Sequence, residues 1–385
     1  MRIKDKEQVT PEIDDLDDNY YTKTSCSLLS WGDFLCTQME NWSLKHSPLH
    51  VDVFSGSNRL ESISEDSVTT ERQTDLLTNF IPTLRSGEWS DIGGRPYMED
   101  THICIADLAK NFGCDLVSEE AISFYGEQVF DGHGGKDASH FVRDHLPRVI
   151  VEDVDFPLEI EKAVTRSFME TDAAFAKSCS LESSLASGTT VLTAMIFGRS
   201  LLVANAGDSR AVLSWHGRAV EMSKDHRPCC MKERRRIEAL GGFVDDGYLN
   251  GQLGVTRALG DWHIEGMKET GERIGPLSAE PELKMITLTK EDEFLIIGSD
   301  GIWDVFTSQN AIDFTRRRLQ EHNDVKLCCK EIVEEAIKRG ATDNLTVVVV
   351  CFHLEPPQPS VRQRGRVRRS ISAEGLQSLK CLLEG

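Results

Sequence analysis

Residues 187–215 read SGTTVLTAMIFGRSLLVANAGDSRAVLSW. The runs SGTTVLTAMIF, SLLVANA and AVLSW within this stretch are rich in β-branched and apolar residues, which is typical of strands. In the first run, Val191 and Met195 fall on one face of a strand and Leu192 falls on the other. Because both faces are apolar, we expect these strands to be covered on both sides.

Further strands and helices are predicted along the chain. The strand-like runs are THICIAD (101–107), AISFY (121–125), EFLIIGS (293–299) and NLTVVVVCFHL (344–354). Helical spacing occurs in residues 136–154, 157–177, 233–242, 308–322 and 324–340, and we expect Pro147 to break the first of these runs. Strands and helices come in blocks, which predicts an α+β fold: two stacked, mainly antiparallel β-sheets flanked by helices, an α/β/β/α sandwich.

Composition changes at both ends divide the 385 residues into three parts. Residues 1–84 are rich in Ser, Thr, Asp and Glu without periodicity, which predicts a flexible N-terminal extension. Residues 85–354 form one domain, which is large enough to bury a substantial core. Residues 355–385 are predicted to be a basic, disordered tail, and its RQRGRVRRSIS run fits a nuclear address, a patch for an acidic partner or a solvated end.

Bulk composition excludes several classes of protein. The chain is 39% hydrophobic and 28% charged, and its net charge of -20 opposes binding to nucleic acid or to anionic lipid. It has no run of 18 apolar residues, so we expect no membrane association. Its eleven cysteines show no CxxC spacing, which argues against zinc ribbons and thioredoxin-like sites. We expect a monomer in the cytoplasm, the nucleus or both, with reduced thiols.

Four acidic motifs fall where strands end or turns begin. They are RPYMED (95–100), VFDGHGG (129–135), GSDGIWDV (298–305) and TDN (342–344). A strand end holds a carboxylate rigidly at a cleft, and Mg²⁺ and Mn²⁺ prefer oxygen ligands of this kind. A glycine after aspartate also allows a tight turn and lets a backbone carbonyl approach an ion. The pattern therefore predicts a site for hard divalent ions and not for structural zinc.

Nine motifs in order resemble the metal-dependent protein phosphatase family, the type 2C serine/threonine phosphatases, over about residues 85–354. The motifs are GGRPYMED, FDGHGG, SGTTVLTAMI, NAGDSRAVL, DHRP, GVTRALGD, SAEPEL, SDGIWDV and ATDNLTVVVV. The stretches SDIGGRPYMEDTHICIADL and LSAEPEL look most like the plant branch. The resemblance implies hydrolysis of phosphoserine and phosphothreonine in phosphoprotein substrates by a water activated between two Mn²⁺ or Mg²⁺ ions.

The resemblance also implies a set of metal ligands. Asp131 would bridge the two ions, with Glu99 and the carbonyl of Gly132 on one of them. Asp300 and Asp343 would hold the other ion. These five positions lie in the four acidic motifs.

Further roles follow from the same resemblance. Asp100 would orient the attacking water, and Asp208 and Asp304 match positions linked to a weaker third ion. Arg95 can offer a planar fork to the substrate phosphate, while His133 can protonate the leaving oxygen. No cysteine or serine nucleophile is required, in agreement with the absence of a GxSxG motif.

The chain departs from the family pattern at Glu127 and Gln128, which interrupt a run of aromatic-Gly-Val-Phe-Asp. Either the strand slips or the two residues bulge, and we expect a bulge at Gly126, since glycine tolerates unusual backbone angles. The insertion motivates an alternative function, a weakly active or inactive adaptor that binds phosphoproteins. A calcium-binding module is disfavoured because the carboxylates are dispersed and not packed in a twelve-residue loop.

Overall fold

The computed structural model describes residues 80–113, 121–129, 135–181, 186–268 and 275–359. Of the predicted N-terminal extension (1–84) and C-terminal tail (355–385), residues 1–79 and 360–385 lie outside these ranges. The strands are β1 Arg85–Asp91, β2 Thr101–Ile105, β3 Ile122–Val129, β4 Gly188–Phe197, β5 Ser200–Ala206, β6 Arg210–Trp215, β7 Arg218–Glu221, β8 Val244–Asp245, β9 Tyr248–Leu249, β10 Leu259–Gly260, β11 Glu282–Thr287, β12 Asp292–Gly298 and β13 Leu345–Cys351. The helices are α1 Leu108–Asn111, α2 Asp137–Glu152, α3 Ile160–Leu181, α4 Met231–Ala239, α5 Asp300–Trp303, α6 Ser308–His322 and α7 Val325–Lys338.

Two sheets contain most of the strands. The first has the order β1-β13-β12-β6-β7, and the second has the order β11-β5-β4-β3-β2, with β10 also paired to β4. All of these strand pairs are antiparallel. Strands β8 and β9 form a separate short hairpin.

The core lies in three layers that the alternation of side chains explains. Leu192 of β4 packs with Leu213 and Val348 of the other sheet, so one face of β4 meets that sheet. Val191 and Met195 point the other way and pack with residues of α2 and α3. Helices α6 and α7 cover the outer face of the first sheet. The predicted α/β/β/α sandwich, with strands covered on both sides, is confirmed.

Helix α2 continues through Pro147, so the predicted break is wrong. Proline lacks the N–H that would donate to the carbonyl four residues earlier, which normally destabilises a helix interior. Here Leu146 and Ile150 on either side of it are fully buried in the core beneath the second sheet. Packing of this apolar face holds the helix together across the missing hydrogen bond.

The predicted bulge at Gly126 is also wrong. Strand β3 pairs without a register shift with both of its neighbours. The backbone positions of Glu127 and Gln128 lie opposite Leu192 and Val191 of β4, and opposite His102 and Thr101 of β2. Because β3 is paired on both sides, the two extra residues keep their backbone hydrogen bonds if they simply lengthen the strand. A bulge would leave a residue unpaired.

The chain after β13 lies along α6. Side chains of Asn323 and Gln320 donate hydrogen bonds to the carbonyls of Leu354 and Pro357, at 3.1 and 2.9 Å. The guanidinium of Arg316 reaches the carbonyl of Gln358. In the described part of the chain, no helix combines the length and the apolar character that a membrane span requires.

Candidate metal and phosphate site

Three of the acidic motifs meet at one end of the first sheet. RPYMED follows β1, Asp300 opens α5 directly after β12, and Asp343 lies just before β13. Because β1, β13 and β12 are neighbours in the sheet, the fold brings these segments together. Strand β3 of the other sheet leads toward the fourth motif, whose residues Asp131, Gly132 and His133 lie outside the described residues.

Asn344 ties the segment of Glu99 to the segment of Asp343. Its Oδ1 accepts a hydrogen bond from the backbone N–H of Glu99 at 2.8 Å. Its Nδ2 donates to the carbonyls of Ile92 and Tyr97 at 2.8 and 3.1 Å. Asn344 is only 3% exposed, so these three hydrogen bonds are buried and fix the loop that carries Glu99. Asn344 stands in the TDN motif, but the sequence alone did not predict its role.

Two glycines allow the segments to approach each other. Gly93 has φ +61, and a Cβ there would lie 2.0 Å from the carbonyl oxygen of Asp343. A Cβ on Gly301 would lie 2.3 Å from the carbonyl oxygen of Asn344. Any side chain at either position would push Asp343 away from its neighbours. The glycine that follows Asp300 therefore permits close approach of two backbones, as well as a turn.

Arg95 lies beside Asp343. Its Nη2 is 2.6 Å from Oδ2 of Asp343, and the two side chains are 45% and 27% exposed. An exposed pair of this kind contributes little to stability, so the guanidinium can exchange one anionic partner for another. A phosphate next to Asp343 would be within reach of the same fork.

Asp100 is a buried carboxyl group next to the other carboxylates. Burial raises its pKa to about 8; a hydrogen bond from Thr346 opposes this rise, and the negative charges of Asp300 and Asp343 add to it. The hydroxyl of Thr346 donates to Oδ2 at 2.9 Å. Oδ1 is buried and has no hydrogen-bonding partner in the described part of the chain. The carboxylates of Asp100, Asp300 and Asp343 repel one another, which suits the binding of hard cations. The buried Oδ1 of Asp100 can accept a hydrogen bond from a water.

Arg227 lies among three further carboxylates. Its Nε is 3.0 Å from Oδ2 of Asp208, and its Nη2 is 3.5 Å from Oδ1 of Asp304 and 3.8 Å from Oδ2 of Asp300. Burial opposes the charge of this guanidinium, but the charges of Asp208, Asp304 and Asp300 outweigh burial and raise its pKa. Arg227 stands in the DHRP motif, but the sequence alone did not predict a role for it.

The backbone of His226 places Arg227 beside Asp208. The N–H of His226 donates to the carbonyl of Gly207 at 2.9 Å, and the N–H of Gly207 donates to Nδ1 of His226 at 3.1 Å. Gly207 has φ +145, and a Cβ there would lie 2.2 Å from Cβ of Thr190. The hydrogen bonds between His226 and Gly207 thus hold DHRP against NAGD, and glycine is required at 207 because Thr190 of β4 is so close.

The structure brings some of the predicted residues together directly and others only through neighbours. Arg95 contacts Asp343, and Asp300 contacts Arg227, whereas Glu99 is linked through its backbone to Asn344. Within the described ranges, no three His, Cys, Asp or Glu side chains converge closely enough to form a complete metal site.

A protein-family model described as "Protein phosphatase 2C" matches residues 92–345. The chain belongs to the protein phosphatase 2C family. It is therefore a serine/threonine phosphatase of the Mn²⁺- or Mg²⁺-dependent class, and phosphoproteins are its class of substrate.

Plant members of the protein phosphatase 2C family are very similar in sequence to this chain. "Probable protein phosphatase 2C 27" of Oryza sativa subsp. japonica is 71% identical over 327 residues, covering 85% of this chain and 92% of the relative. "Probable protein phosphatase 2C 22" of Arabidopsis thaliana is 60% identical over 312 residues, covering 80% and 79%. The resemblance to the plant branch is confirmed.

A solved protein phosphatase 2C structure shares the fold. The serine-threonine phosphatase 2C from Toxoplasma gondii superimposes with a TM-score of 0.59 at 20% identity, covering 72% of this chain and 98% of that one. At this level of identity the match bears on the architecture alone, and it agrees with the observed sandwich.

Proposed function

We propose that this protein phosphatase 2C binds two Mn²⁺ or Mg²⁺ ions and hydrolyses phosphoserine and phosphothreonine in proteins. The ligands would be the carboxylates of Asp131, Glu99, Asp300 and Asp343 and the carbonyl of Gly132. The observation that carries the proposal is the position of Asn344, which contacts the backbone of Glu99 and packs against Gly301. Ligand segments far apart in sequence are thereby held at one end of the sheet.

Bound divalent ions supply positive charge for the phosphoryl oxygens and lower the pKa of a water. The chain's own residues would bind and orient the substrate. Arg95 would bind two phosphate oxygens with its planar guanidinium, which already lies next to Asp343. Oδ1 of Asp100 would accept a hydrogen bond from the attacking water, since this buried atom has no partner among the described residues.

His133 would donate a proton to the leaving serine or threonine oxygen. An alkoxide is a poor leaving group, so a proton donor on the leaving side lowers the barrier to P–O cleavage. Asp208 and Asp304, which both contact Arg227, would hold a weaker third ion. We further propose that the protein is a monomer in the cytoplasm, the nucleus or both.

The adaptor alternative rests on Glu127 and Gln128. Both residues are accommodated in a regularly paired strand, and no observation on the described residues favours binding without turnover. Turnover of a phosphothreonine peptide distinguishes the two functions. An adaptor would bind the peptide without releasing phosphate.

The test measures phosphate release from a phosphothreonine peptide with Mn²⁺, with Mg²⁺ and with EDTA. We expect activity with either ion and none with EDTA. Asp343→Asn should abolish turnover, whereas Glu152→Gln, a change of the same kind at a 52% exposed carboxylate on α2, should not. Full activity in EDTA, or equal activity in both variants, would contradict the proposal.

A further inference from the structure

We propose that the guanidinium of Arg227 competes with a divalent cation for Asp208 and Asp304, and so sets the affinity for the third ion. The inference rests on the third ion of the proposed function. Arg227 stands where a cation held by these two carboxylates would lie, because it contacts both of them and also Asp300. It would therefore act as a protein-borne counter-ion.

The charges of the cluster fit exchange between a guanidinium and a metal ion. Asp208, Asp300 and Asp304 carry three negative charges, and Arg227 neutralises one of them. Asp300 is also a proposed ligand of a tightly bound ion, so Asp208 and Asp304 are the two carboxylates for which Arg227 and the third ion would compete. A carboxylate that binds the cation has less negative charge to offer the guanidinium, so each cation weakens the binding of the other.

The contacts of Arg227 are suited to displacement. The Nε–H of Arg227 is buried and is not aligned for a hydrogen bond with any described acceptor, although Oδ2 of Asp208 is 3.0 Å away. The distances to Asp304 and Asp300 are 3.5 and 3.8 Å, beyond hydrogen-bonding range. The guanidinium is therefore held mainly by charge, and its contact with the exposed carboxylate of Asp304 costs little to break.

The side chain of Arg227 also has access to solvent. Arg227 is 35% exposed and Asp304 is 58% exposed, so the guanidinium borders solvent. The backbone is fixed at the same time by the reciprocal hydrogen bonds of His226 and Gly207. The side chain can therefore move between the carboxylates and solvent without a change in the fold.

The test counts bound Mn²⁺ by electron paramagnetic resonance during a titration of the full chain. Arg227→Gln should tighten the weakest-bound Mn²⁺ by about tenfold. Arg227→Lys, which keeps the charge but loses the fork, should give an intermediate affinity. Arg234→Gln is the matched control, because it removes the same charge from a 48% exposed site that pairs only with Glu238 among the described residues.

A second measurement separates competition from a purely structural role. In EDTA, Arg227→Gln should lower the thermal midpoint, because the positive charge of Arg227 no longer offsets repulsion among the three carboxylates. With saturating Mn²⁺, the difference from the parent chain should shrink or reverse. A merely structural arginine would lower the midpoint equally under both conditions, and that result would overturn the inference.

The outcomes distinguish this inference from the proposed function. If two Mn²⁺ ions bind tightly but the third is unaffected by Arg227→Gln, only the competition is wrong. The same holds if Arg234→Gln tightens the third ion equally, since the effect is then one of net charge. If the parent chain binds no Mn²⁺ tightly, the proposed metal centre itself fails.

Discussion

The side-chain amide of Asn344 accepts a hydrogen bond from the backbone N–H of Glu99 at 2.8 Å, across 245 residues of sequence. The same amide donates hydrogen bonds to the carbonyls of Ile92 and Tyr97. Asn344 thus determines where the loop of one proposed ligand lies relative to Asp343, the ligand next to it in the chain. Groups that orient metal ligands in this way are often nearly as important as the ligands.

Asn344→Ala should weaken both the fold and the metal site. It leaves the N–H of Glu99 and two carbonyls without their partner, at a cost of about 1–3 kcal/mol in the free energy of unfolding. We also expect Mn²⁺ affinity to fall by about 10- to 100-fold. Urea unfolding in EDTA and a Mn²⁺ titration measure the two effects. Asn310→Ala on α6, at an exposed position, is the control; equal affinities in the two variants would contradict the role.

The inner strands were predicted from sequence because they are apolar on both faces. Strand β5 begins and ends where SLLVANA does. Strands β1 and β11, whose sequences are RSGEWSD and ELKMIT, were missed. Both lie at sheet edges, where half of a strand's surroundings are solvent and polar residues are tolerated. The pattern of apolar and polar residues in such a strand is then too weak to predict it from the sequence.

The proposed carboxylate ligands were drawn from acidic motifs at strand ends and turns together with the family resemblance, and the ligand set stays a prediction. Asn344 and Arg227 were not assigned roles, because their partners lie far away in sequence. Arg227 follows β7 and Asp304 follows β12, and these two strands come near each other only when the first sheet forms. The only sequence signal was their presence inside TDN and DHRP, and it says nothing about what they contact.

Asp131→Asn should remove more activity than Asp304→Asn. Asp131 is proposed to contact both tightly bound ions, whereas Asp304 is 58% exposed and contacts at most the third ion. A Mn²⁺ titration of peptide turnover measures both variants. We expect Asp304→Asn to recover most activity at high Mn²⁺ and Asp131→Asn to recover little. Equal losses with the same metal dependence would count against the assignment.

His133→Gln should damage some substrates far more than others. A phosphoserine peptide needs a proton on its leaving oxygen, whereas an aryl phosphate has a leaving group that departs without one. We therefore expect a large loss of kcat with the peptide and a small loss with the aryl phosphate. Arg95→Gln is a useful comparison, because a phosphate-binding residue should affect both substrates. Equal damage by His133→Gln would exclude the role of general acid.

Glu233 should make the fold sensitive to acid. It is 1% exposed, and Arg257, Arg236 and the hydroxyl of Thr256 all bind its carboxylate. Burial raises its pKa, but Arg257 and then Arg236 outweigh burial and lower it from 4.5 to about 2. A carboxylate with a lowered pKa stabilises the fold fully above pH 4.5, and this contribution is lost as the pH falls through about 2.

Urea unfolding between pH 7 and pH 3 tests this contribution. Glu233→Gln should lower the free energy of unfolding at pH 7 by roughly 3 kcal/mol. The gap between variant and parent should narrow as the pH falls below 4.5. Glu238→Gln on the same helix changes a 52% exposed carboxylate and should shift stability little at any pH. A gap that stays constant with pH would show that ionisation of Glu233 contributes nothing.

Deletion of Glu127 and Gln128 should raise phosphatase activity and Mn²⁺ affinity without loss of the fold. Strand β3 is paired in register from Ile122 to Val129, so no bulge within this described strand absorbs the two residues. Two strand residues span about 6.6 Å, whereas metal–oxygen distances are only about 2.0 to 2.6 Å. We therefore expect the two extra residues to make the metal site less favourable, and their removal to improve it.

The comparison needs a control that keeps the length of the strand. The double variant Glu127→Ala, Gln128→Ala changes both side chains but leaves the register and the number of residues unchanged. We expect it to behave as the parent chain does, because the effect of the insertion is one of length. The experiment measures peptide turnover, Mn²⁺ affinity and the thermal midpoint for all three chains. A deletion that is less active or less stable than the parent would mean that the longer strand is an adapted feature, to which the rest of the site is fitted.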